Sequence, residues 1–90
     1  MQTWDEAKRK TNLSKHAIDF IGCESIFDNP TFVFEDQSKE YGEQRLIAIG
    51  WLNGEVVFLV YTERGEVFHV ISLRKALKHE IKQYIKEVSK

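Results

Sequence analysis

The sequence predicts an α+β domain: two N-terminal helices, an antiparallel sheet of about four strands, and a C-terminal helix. Three observations predict it. Apolar residues recur at helical spacing up to Phe27, alternate with period two from Thr31 onward, and return to helical spacing after Ser72. Asp28-Asn29-Pro30 marks the first switch, because proline cannot continue a helical hydrogen-bond ladder. Asn53-Gly54 lies between two alternating runs, and both residues tolerate the positive φ that a type I′ hairpin demands.

The elements follow in order. Asp5 to His16 is a polar run of good helix formers anchored by Trp4, Ala7 and Leu13. Asp19 is a candidate N-cap for a second short helix carrying Phe20, Cys23, Ile26 and Phe27. Thr31–Glu35 reads as the first strand, followed by a polar loop from Asp36 to Gln44. Arg45–Leu52 and Glu55–Thr62 form the two arms of the hairpin. Glu63-Arg64-Gly65-Glu66 is a second turn leading into Val67–Ser72. Ser72 then caps the last helix, whose apolar stripe is Leu77, Ile81, Tyr84, Ile85 and Val88.

Ninety residues make a single domain, 1–90, with no room for a second core. The longest apolar run, Val56 to Tyr61, is far too short to span a bilayer. Cys23 has no partner for an internal disulfide, and the polar, acidic start Met1–Glu6 has no signal-peptide character. A cytoplasmic protein without a membrane partner is expected.

The net charge of −1 argues against a generic nucleic-acid binder, but the charge is unevenly spread. Residues 1–18 carry +2, residues 19–66 carry −7, and residues 67–90 carry +4. An RNA contact would therefore use the basic ends, with acidic side chains held elsewhere or used for chemistry.

Several residues are candidates for that chemistry. With Ser72 as cap, Arg74 and Lys75 fall in the first turn of the last helix, where acidic residues are favoured by roughly 0.3–1 kcal/mol each. Either the two cations splay into water, or with the free N–H groups of the helix start they form an anion site. Arg64 either pairs with Glu63 or presents its planar guanidinium to a phosphate. His69, in mid-strand on the face of Val67 and Ile71, is either a packing residue or a proton-transfer group near neutrality. Glu43 and Arg45 flank the start of a strand on one face, as an ion pair or with the carboxylate placed as a base. Lys15-His16 closes the first helix, where cations suit the dipole. His16, His69, His79 and Cys23 show no ligand spacing, and the sequence has neither a Gly-rich phosphate loop nor a Gly-x-Ser-x-Gly elbow. No metal, cofactor or acyl-transfer chemistry is predicted.

Ordered motifs add to this reading. Trp4-Asp5-Glu6-Ala7-Lys8, Asn12-Leu13-x-Lys15-His16 and Ile26-Phe27-Asp28-Asn29-Pro30 are followed by Gly42-Glu43-x-Arg45-x-Ile47-x-Ile49-Gly50. Thr62-Glu63-Arg64-Gly65, Ile71-Ser72-x-Arg74-x-Ala76 and Glu80-x-x-x-Tyr84 complete the series. Over nearly its whole length the chain resembles BrnT-type toxins. The resemblance implies a RelE-like fold, an RNA-cleaving activity and neutralisation by a BrnA-type antitoxin. It also implies a hetero-oligomer that contacts operator DNA through that antitoxin. Two positions depart from the family pattern: Ala17 stands where glycine usually follows the Lys-His pair, and His69 where arginine is common.

The mechanism expected is metal-independent attack of a 2′-OH on the adjacent phosphorus. Arg64 and Arg74 are the candidates for charge stabilisation. Glu43, Glu63, Glu80 and His69 are the candidates for acid–base work, and Lys15, His16, Arg45 and Lys75 for holding substrate. Two rival readings remain. One is a non-catalytic interaction module whose basic ends dock an acidic partner. The other is RNA binding without cleavage, for which Phe32, Phe34, Phe58 and Phe68 would be stacking platforms, although their alternation marks them as core.

Overall fold

The computed structural model describes residues 2–37 and 42–90; residues 38–41, within the predicted 36–44 loop, lie outside the described residues. The chain runs β1 (Gln2–Trp4), α1 (Glu6–His16), a 3₁₀ segment (Cys23–Asp28), β2 (Thr31–Glu35), β3 (Leu46–Leu52), β4 (Glu55–Arg64), β5 (Val67–Lys75) and α2 (Lys78–Val88). Among the described residues the strands form one five-stranded sheet in the order β1-β5-β4-β3-β2.

The predicted hairpin is present. Asn53 and Gly54 take φ of 51° and 83°, and Leu52 faces Glu55 across the turn. The sheet has one strand more than expected and is mixed. Gln2, Thr3 and Trp4 pair in parallel with Phe68, His69 and Val70. Three residues are too few to display a period, so only the pairing itself reveals this strand.

β5 carries an irregularity that sets which side chains face which layer. Val60 pairs with Ser72 but Tyr61 with Val70, leaving Ile71 as an extra residue. Such a bulge shifts the alternation by one. Phe68, Val70 and Leu73 consequently turn to one face of the sheet, and His69, Ser72 and Arg74 to the other.

The first face packs on the 3₁₀ segment. Phe20, Cys23 and Ile26 are fully buried against Ala48, Leu59, Val70 and Leu73. Gly50 permits the contact: a Cβ there would sit 3.0 Å from the Ile26 side chain. The second predicted helix is thus a 3₁₀ turn that follows Gly22, at φ 83°, and Asp19 does not cap it. The Asp19 carboxylate accepts from the Ile21 N–H and from the Arg9 guanidinium at 2.9–3.0 Å. The second face packs on α2, where Tyr84 is buried with Ile47 and Ile49 and donates its hydroxyl to the Pro30 carbonyl at 2.7 Å. Of the predicted stripe on this helix, Leu77 and Ile85 are more than half exposed.

α1 lies along the edge of β5 beyond the end of β1. Its Asn12 side chain, 7% exposed, donates to the Leu73 carbonyl at 2.7 Å and accepts from the Leu73 N–H at 3.1 Å. An amide thus continues the ladder where the edge strand stops, which satisfies an otherwise open edge. Asp5 caps the start of α1 by accepting from the Ala7 and Lys8 N–H groups. Ala17 ends it in the left-handed region at φ 57°, its N–H donating to the Leu13 carbonyl. A Cβ costs roughly 1–2 kcal/mol in that conformation. Ala17→Gly is therefore expected to raise stability by about 0.5–1 kcal/mol, measured by urea unfolding; an unchanged or lowered midpoint would count against the strain.

Candidate active site

The anion site expected at the start of the last helix does not form. β5 continues through Arg74 and Lys75, which pair with Phe58 and Val57, and α2 begins only at Lys78. The backbone groups expected to be free belong instead to the sheet. Arg74 lies over the Phe58 ring, 3.9 Å from its centroid, and donates to both Glu80 carboxylate oxygens at 2.8 and 2.9 Å. Glu80, with 11% of its side chain exposed, also accepts from the Leu77 N–H at 2.7 Å. Burial alone would raise the Glu80 carboxyl pKa, but the Arg74 and Leu77 hydrogen bonds outweigh it and hold the group below its ordinary range. The acid that favours a helix N-terminus is therefore present at the true start of the helix, and Arg74 neutralises it. Lys75 points to Glu55 at 3.7 Å, with two-thirds of its side chain exposed.

Two other expectations are corrected by the register. Glu63 and Arg64 are strand residues, the turn being Gly65-Glu66, so they point to opposite faces and are not a pair. Glu63 lies across from Phe68 on the first face, away from the remaining candidates. Arg64 reaches Glu43 at 3.2 Å, so the partner of Glu43 in the structure is Arg64. Arg45 is half-buried at the start of β3, where its carbonyl accepts from the Asp36 N–H at 2.8 Å.

What the fold does bring together is a cationic region on the second face, beside α1. His69 is half-buried next to Thr62 on β4 and Thr3 on β1. Its Nδ1 lies 2.8 Å from the Thr3 hydroxyl. Burial chiefly, and then the positive charges of Arg64 and Lys8, lower the His69 pKa below its ordinary value, while Glu43 and Asp5 oppose them. The imidazole is therefore neutral at pH 7, with its Nδ1 engaged by Thr3.

A cleft of about 370 Å³ lies between α1 and the bulge of β5. Lys8, Thr11, Lys15 and His16 form one wall, and Ile71 and Ser72 the other. One turn of helix separates Lys8 from Thr11 and another separates Thr11 from Lys15, so these side chains project from the same side of α1. Lys15 and His16 line this cleft, and Lys8, another of its wall residues, acts with Arg64 and Glu43 on the charge of His69, whereas Arg74, Glu80, Lys75, Glu63 and Arg45 belong to neither set. Thr3 and Lys8 are part of the arrangement and were missed. The helical spacing of Lys8 with Lys15 could have marked the lysine; nothing local to Thr3 announces its parallel pairing. Among the described residues, no three His, Cys, Asp or Glu side chains gather as a metal site would require, and no helix is long and apolar enough to cross a membrane.

The family model described as ribonuclease toxin, BrnT, of type II toxin-antitoxin system matches residues 4–80. No curated protein matches the chain.

Proposed function

Because the chain belongs to the BrnT family of ribonuclease toxins of type II toxin–antitoxin systems, we propose that it is a metal-independent endoribonuclease whose reaction occurs where His69 and Arg64 meet the α1–β5 cleft. The observation that carries this reading is the placement of a neutral imidazole beside an arginine, at the head of a lysine-lined groove.

The chemistry needs a base, a charge stabiliser and a grip on the backbone. With Nδ1–H donated to Thr3, the His69 Nε2 lone pair takes the proton of a ribose 2′-OH. The 2′-oxygen attacks the adjacent phosphorus, and the bond from phosphorus to the 5′-oxygen breaks, with water in the open cleft protonating the leaving oxygen. Arg64 presents fixed N–H donors to the oxygens that gain charge, and Glu43 orients its guanidinium. Lys8, Lys15 and His16 hold the flanking phosphates. Glu80 takes no part: its carboxylate is committed to Arg74 and to the helix start.

The fold is of RelE-like type on this reading, and the toxin acts in the cytoplasm. A BrnA-type antitoxin neutralises it, and the complex contacts operator DNA through the antitoxin. The test is incubation of the purified chain with single-stranded RNA in excess EDTA. Cleavage leaving 2′,3′-cyclic phosphate and 5′-hydroxyl ends supports the reading. Cleavage that requires an added divalent cation, or that leaves 5′-phosphate ends, refutes the mechanism.

A further inference from the structure

We infer that the pocket between the 3₁₀ segment and the β4–β5 turn is a receptor for an arginine side chain on a basic segment of the antitoxin. This rests on the toxin–antitoxin reading above, which supplies the partner; the pocket itself lies on the opposite face of the sheet from the proposed cleavage site.

Three rings build the pocket. Phe27, Tyr61 and Phe68 meet edge to face, with centroids 5.6–5.7 Å apart. They border a cavity of about 230 Å³ whose rim carries Glu63 and Glu66. Phe27 is 41% exposed, although the rings it touches are largely covered. Tyr61 is only 5% exposed, and its hydroxyl has no protein partner among the described residues but is not sealed from solvent. Glu63 and Glu66 are exposed, and neither has an ion-pair partner among the described residues. Arg64, which lies between them in sequence, is turned to the other face and held by Glu43.

Each feature selects the same ligand. Aromatic rings attract a cation, and they favour the planar guanidinium, which also stacks. Carboxylates and a phenol oxygen are acceptors, and arginine is a multiple donor with no acceptor of its own. The acidic rim repels phosphate, so RNA is excluded from this face and the pocket does not extend the cleavage site. Apart from Val67 and Phe68, its lining belongs to the segment, residues 19–66, that holds the −7 charge. A basic partner segment is complementary to that surface, and the Tyr61 hydroxyl can accept from the arginine in place of solvent.

The test uses the whole chain, labelled for aromatic NMR, titrated with a blocked tetrapeptide carrying one arginine and with the same peptide carrying citrulline, its neutral isostere. Saturable shifts of the Phe27, Tyr61 and Phe68 ring signals with the arginine peptide, at least fivefold weaker with citrulline, support the proposal. Glu66→Gln and Tyr61→Phe should each weaken the arginine peptide at least threefold. Glu66→Gln should leave RNA cleavage at the parental rate. Equal shifts with both peptides, shifts confined to other residues, or ring shifts produced by a short oligonucleotide instead would overturn it. Failure of the parent chain to cleave RNA, with arginine-selective shifts intact, would sink the ribonuclease reading and leave the pocket standing. Cleavage without those shifts would do the reverse.

Discussion

Replacement of His69 by alanine should lower RNA cleavage by about two to four orders of magnitude, the contribution typical of a positioned acid–base group. The residue is half-buried on β5 between β1 and β4 and contacts Thr3 through one nitrogen, outside the buried core, so the variant should stay folded. The pH profile separates a base from a packing residue. Only neutral imidazole can accept the 2′-proton, so the parental rate should rise with pH and level off. Burial first, then Arg64 and Lys8, place the His69 pKa below 6.5, so the rise should be centred below pH 6.5. Glu43 acts in the opposite direction, so Glu43→Gln should move the inflection further toward acid. Retention of both the rate and this acid limb in His69→Ala would remove His69 from the mechanism.

Arg64→Ala and Arg74→Ala should fail in different ways. Loss of Arg64 should cost about a hundredfold in cleavage, the magnitude seen when one donor to a developing oxyanion is deleted. Its side chain is half exposed and its ion pair with Glu43 lies at the surface, so stability should barely change. Arg74→Ala should instead lower stability by about 1–3 kcal/mol, because it strands the partly buried Glu80 carboxylate. Its folded fraction should cleave at the parental rate. The pH dependence follows from the same pair. Glu80 titrates below its ordinary 4.5 in the folded chain, so its stabilisation is complete above about pH 4.5 and disappears as pH falls through the lowered value. Arg74→Ala should flatten that acid-side loss. Urea unfolding at pH 7 and pH 4, with cleavage measured on the same samples, tests both variants. A hundredfold loss of cleavage in a fully stable Arg74→Ala would reinstate Arg74 as a catalytic group.

The contrast between these two arginines shows where sequence reading stopped. Both are cations near an element boundary, and local pattern treats them alike. Their difference depends on where β5 ends. Ser72 is a good cap and the apolar alternation fades there, so the strand was expected to stop; pairing with β4 carries it three residues further, to Lys75. That extension removed the free helix start on which the predicted anion site depended. It also moved the helix cap five residues on, from the expected Ser72 to Leu77, with Glu80 in the first turn. A similar effect separated Glu63 from Arg64: read as turn residues they could pair, but as consecutive strand residues they cannot.

Local chemistry alone determined the Asn53-Gly54 hairpin, the Pro30 boundary, the α+β order of elements and the capping role of charges around α1, because each depends on backbone preferences within a few residues. The left-handed end of α1 at Ala17 was marked by the family resemblance, in which glycine usually follows the Lys-His pair. Only the tertiary structure decided the short parallel strand at Gln2–Trp4, the bulge at Ile71 and the faces that His69, Arg74 and Glu63 occupy. These depend on register between segments as many as 66 residues apart, and a one-residue shift in register reverses the face of every side chain beyond it.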